Sequence, residues 1–267
     1  MKKLSSVHLA DVNAVYSGAE GDLWELIMGQ QIHIGGFKSS MDLAERAGIG
    51  AGQRGVDLCC CSGAGMRFLV RYRGVASMTG VDATAHVVER GRERCKSEGL
   101  DDRIRFVLGD VTASGLPAGE ADFVWGEDAW CYVEDKPRLV EEAARIVRSG
   151  GVIAFTDWIE GPAGLSEDEA ARFLGFMKFP TLASLDDYRS LLGKSGCEVL
   201  EAADTGRFAP YVALYLQMVD MQLTSDALRI LGNDPKALEA VAGEMVFLQG
   251  LAQAGKIAQG RFIARRR

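Results

Sequence analysis

Short apolar runs, each followed by a turn and then an amphipathic segment, recur through the first 155 residues, and this alternation leaves few folds open. Gly55-Val56-Asp57-Leu58-Cys59 has the length of a strand; a glycine turn follows, and Met66 to Tyr72 places its apolar residues on one helical face. Ser77 to Asp82 repeats the strand, after which Thr84 is a candidate cap for a helix carrying Val87, Val88, Gly91 and Cys95, with Gly99 as its stop. Arg103 to Leu108 and Ala121 to Trp125 read as a third and a fourth strand. Pro137 opens a helix with Leu139, Val140, Ala143, Ile146 and Val147 facing inward, Gly150-Gly151 ends it, and Val152 to Phe155 is an apolar run of the kind buried on both faces. Strands joined by helical crossovers pair in parallel, so the spacing predicts a doubly wound α/β sheet.

The remaining segments add to that frame. Cys197 to Ala202 alternates as a sixth strand and Lys256 to Ile263 reads as a seventh, which makes a mostly parallel seven-stranded sheet. Residues 1–50 form a helical preface, with Ser39 or Ser40 capping Met41 to Ala47. Residues 51–267 form the main domain. Helical insertions at about 162–195, opened by the capping box Ser166-x-x-Glu169, and at 208–254 are placed to act as a lid.

Charge and cysteine usage narrow the partners. With 37 acidic against 30 basic residues the net charge is −7, so no long-range attraction draws the chain to nucleic acid or to an anionic membrane surface, and neither is expected as a partner. Of the six cysteines, Cys59, Cys60 and Cys61 are consecutive and Cys95, Cys131 and Cys197 are scattered; no C-x-x-C pair is present to bind zinc, and no metal is expected. Reduced thiols, no secretory leader and no apolar run of about 18 residues point to a cytoplasmic protein with a small-molecule partner. A homodimer is left open.

In an open parallel sheet, ligands lie beyond the carboxyl ends of the strands. The residues at those ends are Asp57 to Gly65, Asp82-Ala83, Gly109-Asp110-Val111, Trp125 to Tyr132 and Thr156-Asp157-Trp158. Asp82 follows Asp57 by 25 residues, near the spacing at which a carboxylate accepts both hydroxyls of an adenosine ribose, and Asp110 is then placed at the adenine edge. The competing reading makes both acids turn formers. A dinucleotide fingerprint begun at Gly63-Ala64-Gly65 would need glycine at 68, where Phe68 stands, and the loop has no basic residue for a phosphate. Adenosylmethionine has no phosphate, and its carboxylate suits the helix N-terminus after Gly65. Trp125, Trp130 and Trp158, with Tyr132 and the acids Glu127, Asp128 and Asp157, suggest an aromatic wall for a cationic or amine acceptor; ordinary packing at a sheet edge is the alternative.

Val56-Asp57-Leu58-Cys59-Cys60-Cys61-Ser62-Gly63-Ala64-Gly65, Gly80-Val81-Asp82, Gly109-Asp110-Val111 and Ala121 to Trp125 together resemble the successive motifs of the class I adenosylmethionine-dependent methyltransferases, which have a Rossmann-like fold. Gly29 to Lys38, Arg67 to Val70, Glu127 to Trp130, Ile153 to Asp157 and Ala254 to Ile257 are similar to the sarcosine and dimethylglycine N-methyltransferases within that class. The resemblance implies S-adenosylmethionine as cofactor, with Asp57, Cys59 and Gly63 at its methionine moiety, Asp82 and Ala83 at the ribose, Asp110 and Val111 at the adenine, and Tyr16, His33 and Glu127 closing over it. It further implies methyl transfer to a small acceptor, an amine such as sarcosine or dimethylglycine; an oxygen, sulfur or carbon acceptor, a non-catalytic binder and a nicotinamide oxidoreductase are the alternatives. His33, Glu127 and Asp128 are the candidate catalytic residues. One departure stands out: the family turn carries glycine where this chain has Cys59 and Cys61, and a Cβ there hinders positive φ and close approach of a ligand, unless the loop is shifted.

Overall fold

Nine strands and eleven α-helices account for the alternation in the computed structural model, which describes all residues 1–267. The strands are β1 (Lys2–Lys3), β2 (Arg54–Leu58), β3 (Ser77–Asp82), β4 (Ile104–Leu108), β5 (Ala121–Glu127), β6 (Val147–Glu160), β7 (Thr181–Ser184), β8 (Cys197–Asp204) and β9 (Ile257–Arg266). The helices are α1 (Leu9–Tyr16), α2 (Ala19–Met28), α3 (Gly36–Arg46), α4 (Ala64–Tyr72), α5 (Ala85–Ser97), α6 (Lys136–Ile146), α7 (Glu167–Met177), α8 (Leu185–Lys194), α9 (Phe208–Met218), α10 (Thr224–Ile230) and α11 (Pro235–Gln253). The sheet runs β4-β3-β2-β5-β6-β9-β8; the first five of these strands are parallel, and β9 is antiparallel to both neighbours. The chain reverses its direction of travel across the sheet between β2 and β5, the switch point at which a crevice opens in such folds.

Local chemistry explains most boundaries. Asp135 caps α6 by accepting from Arg138 N at 3.1 Å, with Pro137 in the first turn, and Ser166 and Glu169 close the capping box of α7. Two expectations are corrected. Helix α6 stops at Ile146 and Val147 already belongs to a fourteen-residue strand, with Gly150 at φ +75° inside it, so the glycine pair marks an irregular strand and not a helix end. Helix α3 starts at Gly36, so Ser39 and Ser40 are interior to it, and the hydroxyl of Ser40 is engaged elsewhere. Strand β7 and its edge partner β1 have too few residues to show a periodic pattern, and neither was expected.

Three apolar cores divide the molecule. Leu58, Val124, Leu139, Phe155, Tyr188 and Phe262 fill one face of the sheet beneath α6 and α8. Leu43, Met66, Phe68, Phe106, Phe123 and Trp125 fill the other beneath α3, α4 and α5. The third core joins the N-terminal helices to the later ones: Leu23, Trp24 and Ile27 of α2 meet Phe173 and Leu174 of α7, Val212 of α9 and Leu248 of α11. Preface and later helices therefore bury a common interior. Helix α8 stands apart from them, since Tyr188 and Leu192 are fully buried against the sheet. No helix is long and apolar enough to cross a membrane.

Candidate active site

A cavity of about 300 Å³ lies over the carboxyl ends of β2, β3, β4 and β5, roofed by α1 and by residues 30–33. That volume is at the small end of ligand sites, which run from about 300 to 1,000 Å³. Its acidic lining consists of Asp57, Asp82, Asp110, Glu127, Asp128, Glu134 and Asp135, and no lysine or arginine reaches it.

The cysteine loop adopts positive φ in spite of its Cβ atoms. Cys59 and Cys61 occupy the left-handed region at φ +66° and +48°, the conformation glycine would supply. The loop is held there by backbone bonds from Cys59 N and Cys60 N to Val81 O (2.9 and 3.2 Å) and from Gly63 N to Cys60 O (2.8 Å), and by the Asp82 side chain, whose Oδ2 accepts from Cys61 N at 2.9 Å. Left-handed non-glycine residues each cost about 1–2 kcal/mol, which this fastening offsets. Burial raises both thiols, that of Cys61 to about 12, with the Asp82 carboxylate adding to the effect, so both are neutral at pH 7. Gly63, at φ +73°, turns the chain into α4 from behind the cavity, and a Cβ on it would strike the Phe106 ring.

Gly65 is the close-approach point. A Cβ there would lie 2.7 Å from Glu127 Oε2, 3.1 Å from Trp125 Nε1 and 3.6 Å from Asp57 Oδ2, so these three groups gather around its open side. Asp57 is 4% exposed and lacks a hydrogen-bonding partner in the chain; burial, and then the charges of Glu127 and Asp82, hold its carboxyl well above the usual aspartate range. The Trp125 indole nitrogen is buried and also without a partner. Asp82 accepts from Cys61 N and, at 2.9 Å, from Thr84 N, while burial raises its pKa. Asp110 accepts from Thr112 N and Oγ1, each at 2.8 Å. Both acids thus shape turns and also line the cavity. A carboxylate has about four lone-pair sites, so each retains acceptor capacity.

His33 and Glu127 meet beside Ser40. The Ser40 hydroxyl donates to Glu127 Oε1 at 2.6 Å, His33 Nε2 lies 3.1 Å from Ser40 Oγ and 3.2 Å from Glu127 Oε1, and Gln31 Nε2 donates to Ser40 Oγ at 2.8 Å. Asp128, at φ +50°, serves as a fastener. Its Oδ2 accepts from Ile34 N and from Gln259 Nε2, both at 2.8 Å, and Gln259 also donates to Ile34 O, which ties the segment carrying His33 to the sheet. The Tyr16 hydroxyl donates to the Tyr132 hydroxyl at 2.8 Å, joining α1 to the turn after β5, and burial raises both phenols.

The structure brings Tyr16, His33, Asp57, Cys59, Asp82, Ala83, Asp110, Val111, Glu127, Asp128 and Tyr132 to one cavity, with Gly63 behind it. No tryptophan is among the lining residues, although Trp125 Nε1 stands beside Gly65. Trp125, Trp130 and Trp158 are 0–5% exposed and fall one into each core; Trp130 stacks on Phe155 with centroids 3.9 Å apart, and Trp158 packs edge-on to Phe208. Both faces of the sheet are covered by helices, so aromatic residues at its strand ends turn into packing and not into the cavity. Asp157 is also fully buried away from the lining, accepting from Cys131 N (3.0 Å) and the Tyr188 hydroxyl (2.5 Å). Ser40, Gln31 and Gln259 were not foreseen as site residues; only Gln259, a polar residue following the apolar start of β9, left a sign.

S-adenosylmethionine fits these residues on charge. A buried carboxylate without a partner, next to a second one, suits a ligand with cationic groups, and the cofactor carries an ammonium and a sulfonium. Residues 56–155 match a family profile described as a methyltransferase domain. The methyltransferase GfsG of Streptomyces halstedii is 32% identical over 175 residues, 63% of this chain and 61% of that protein, so the chain spans under two thirds of its length. The 27-O-demethylrifamycin SV methyltransferase of Amycolatopsis mediterranei is 27% identical over 205 residues, 71% of this chain and 75% of the relative. Among solved structures, a protein from Galdieria sulphuraria described by assignment as a sarcosine dimethylglycine methyltransferase superposes with a TM-score of 0.83 at 22% identity, covering 93% of this chain and 98% of the other. A phosphoethanolamine N-methyltransferase of Haemonchus contortus, in complex with phosphomonomethylethanolamine and S-adenosylhomocysteine, superposes with a TM-score of 0.84 at 19% identity, covering 95% of this chain and 58% of the other. At those identities the likeness to the two structures is one of fold.

Proposed function

We propose, from the premise that this chain belongs to the class I S-adenosylmethionine-dependent methyltransferases, that its cavity transfers the cofactor's methyl group to a small-molecule acceptor. The cofactor supplies an electrophilic methyl group on a sulfonium centre. The chain's own part is to bind, orient and exclude water. Asp57 and Glu127 attract the cationic groups around Gly65, the free lone pairs of Asp82 accept from ribose hydroxyls, and Asp110 with Val111 borders the adenine. Tyr16 and Tyr132 close the roof through their shared hydrogen bond. The Glu127–His33 pair, steadied by Ser40, takes the proton that the acceptor gives up.

The observation that carries this reading is the unpartnered Asp57 carboxylate beside Glu127 at Gly65, whose missing side chain keeps the cavity open. Cofactor labelled in its methyl group, incubated with the protein and a panel of alcohols, phenols and amines, tests it. Label should enter an acceptor, and Glu127→Gln should slow the transfer by about 100-fold, within the usual range for a general base. Tight cofactor binding with no transfer to any acceptor would refute catalysis.

A further inference from the structure

We propose that the acceptor is a neutral, mainly apolar hydroxyl compound, and not an amino acid or a phosphate ester; this rests on the methyl-transfer reading above. Beyond Asp57, Asp82, Asp110 and Glu127, which the cofactor engages, the cavity is lined by the acids Asp128, Glu134 and Asp135 and by neither lysine nor arginine. Neighbouring cations are committed elsewhere. Lys136 is buried beneath the turn after β5, where its ammonium donates to the carbonyls of Val133 and Thr181 at 3.1 Å and to the Thr181 hydroxyl. Arg67 donates to Ser62 O and Gln30 Oε1, Arg94 pairs with Glu25, and Lys3, on the exposed rim, pairs with Glu134. A carboxylate or phosphate on the acceptor would enter a field of its own sign without a counterion.

The same carboxylates disfavour an amine. They stabilise its ammonium form, in which the nitrogen has no lone pair to attack with. A hydroxyl meets the opposite situation: its oxygen attacks while neutral, and the positive charge that develops on it is stabilised by the surrounding acids. The new C–O bond forms as the C–S bond breaks, the bonding pair leaves with sulfur, and the hydroxyl proton passes to the Glu127–His33 pair. Leu9, Val12, Ile32, Val133 and Pro180 supply an apolar surface for the rest of the acceptor.

Calorimetry on protein saturated with S-adenosylhomocysteine tests this with four probes: methyl 4-hydroxybenzoate, 4-hydroxybenzoate, 4-hydroxyphenyl phosphate and dimethylglycine. The neutral ester should bind at least about 10-fold more tightly than any of the three probes bearing a carboxylate or phosphate, the size expected for one uncompensated like charge. Val133→Arg, which adds a cation to the lining, should bring 4-hydroxybenzoate level with its ester. Equal affinities in the parent protein, or a tighter carboxylate or phosphate probe, overturn the proposal. Failure of S-adenosylhomocysteine itself to bind would instead overturn the methyl-transfer reading.

Discussion

Replacing the three consecutive cysteines by glycine, one at a time, should change stability in opposite directions along a single turn. At positions 59 and 61 the backbone is left-handed, so glycine removes about 1–2 kcal/mol of steric cost and adds about 0.5–1 kcal/mol of unfolded-state entropy. The net gain is up to about 1.5 kcal/mol at each. Cys60 does not share that backbone conformation; it is 5% exposed, and its sulfur fills the space beside Gly80, where a Cβ would come within 2.5 Å of it. Cys60→Gly opens a void and loosens the backbone, a loss of about 2 kcal/mol. For a chain of this size 1 kcal/mol corresponds to about 2 °C in Tm, so the variants should separate by about 4–7 °C in thermal melts and in the same order in urea midpoints. Cofactor affinity should be unchanged or higher in Cys61→Gly. If all three variants lose the same stability, the strain argument for this loop is wrong.

Three further substitutions probe the site and its support. Gly65→Ala is compatible with the first turn of α4, yet its Cβ would stand 2.7 Å from Glu127 Oε2; titration with S-adenosylmethionine should show at least about 10-fold weaker binding with Tm maintained, and unchanged affinity would remove Gly65 from the cradle. Gln259→Leu strips donors from Asp128 and from Ile34 O, at a cost of about 1–3 kcal/mol, and amide exchange at Ile34 should accelerate; unaltered exchange would refute the fastening role. Asp157 is pushed up to about 6 by burial, against its ordinary 3.8. A raised carboxyl weakens folding once ionised, so the protein should lose about 3 kcal/mol of stability from this group as pH rises from about 4 to about 6, and Asp157→Asn should flatten that slope in urea titrations; an unchanged slope would contradict the assignment.

The doubly wound frame was legible because crossover helices and apolar strands impose distinct periods on the residues, and the order of strand ends then located the cavity. Asp57, Asp82, Asp110 and Glu127 converge from separate segments as that order implies, whereas the place of His33, which precedes the sheet, came only from the family resemblance. Side-chain direction was not legible. Trp125, Trp130 and Trp158 lie within or just beyond the same strand ends as the acids, yet each turns into a different core, because the period of a strand alternates faces and an irregular strand end does not declare its own. The pairing of Ser40 with Glu127 spans 87 residues and depends on where α3 begins, which its capping-type serines misstate. The cysteine turn kept its glycine-like path because the fastening to Val81 and Asp82 outweighs the cost of two Cβ atoms, a balance that sequence alone does not contain.

Calorimetric titration of the protein with S-adenosylmethionine, and in parallel with NAD, tests the central claim most directly. One site per chain is expected for S-adenosylmethionine, weakened at least about 10-fold in Asp82→Ala through loss of its charge-assisted hydrogen bonds, with no heat from NAD. Binding of NAD without binding of S-adenosylmethionine would contradict it.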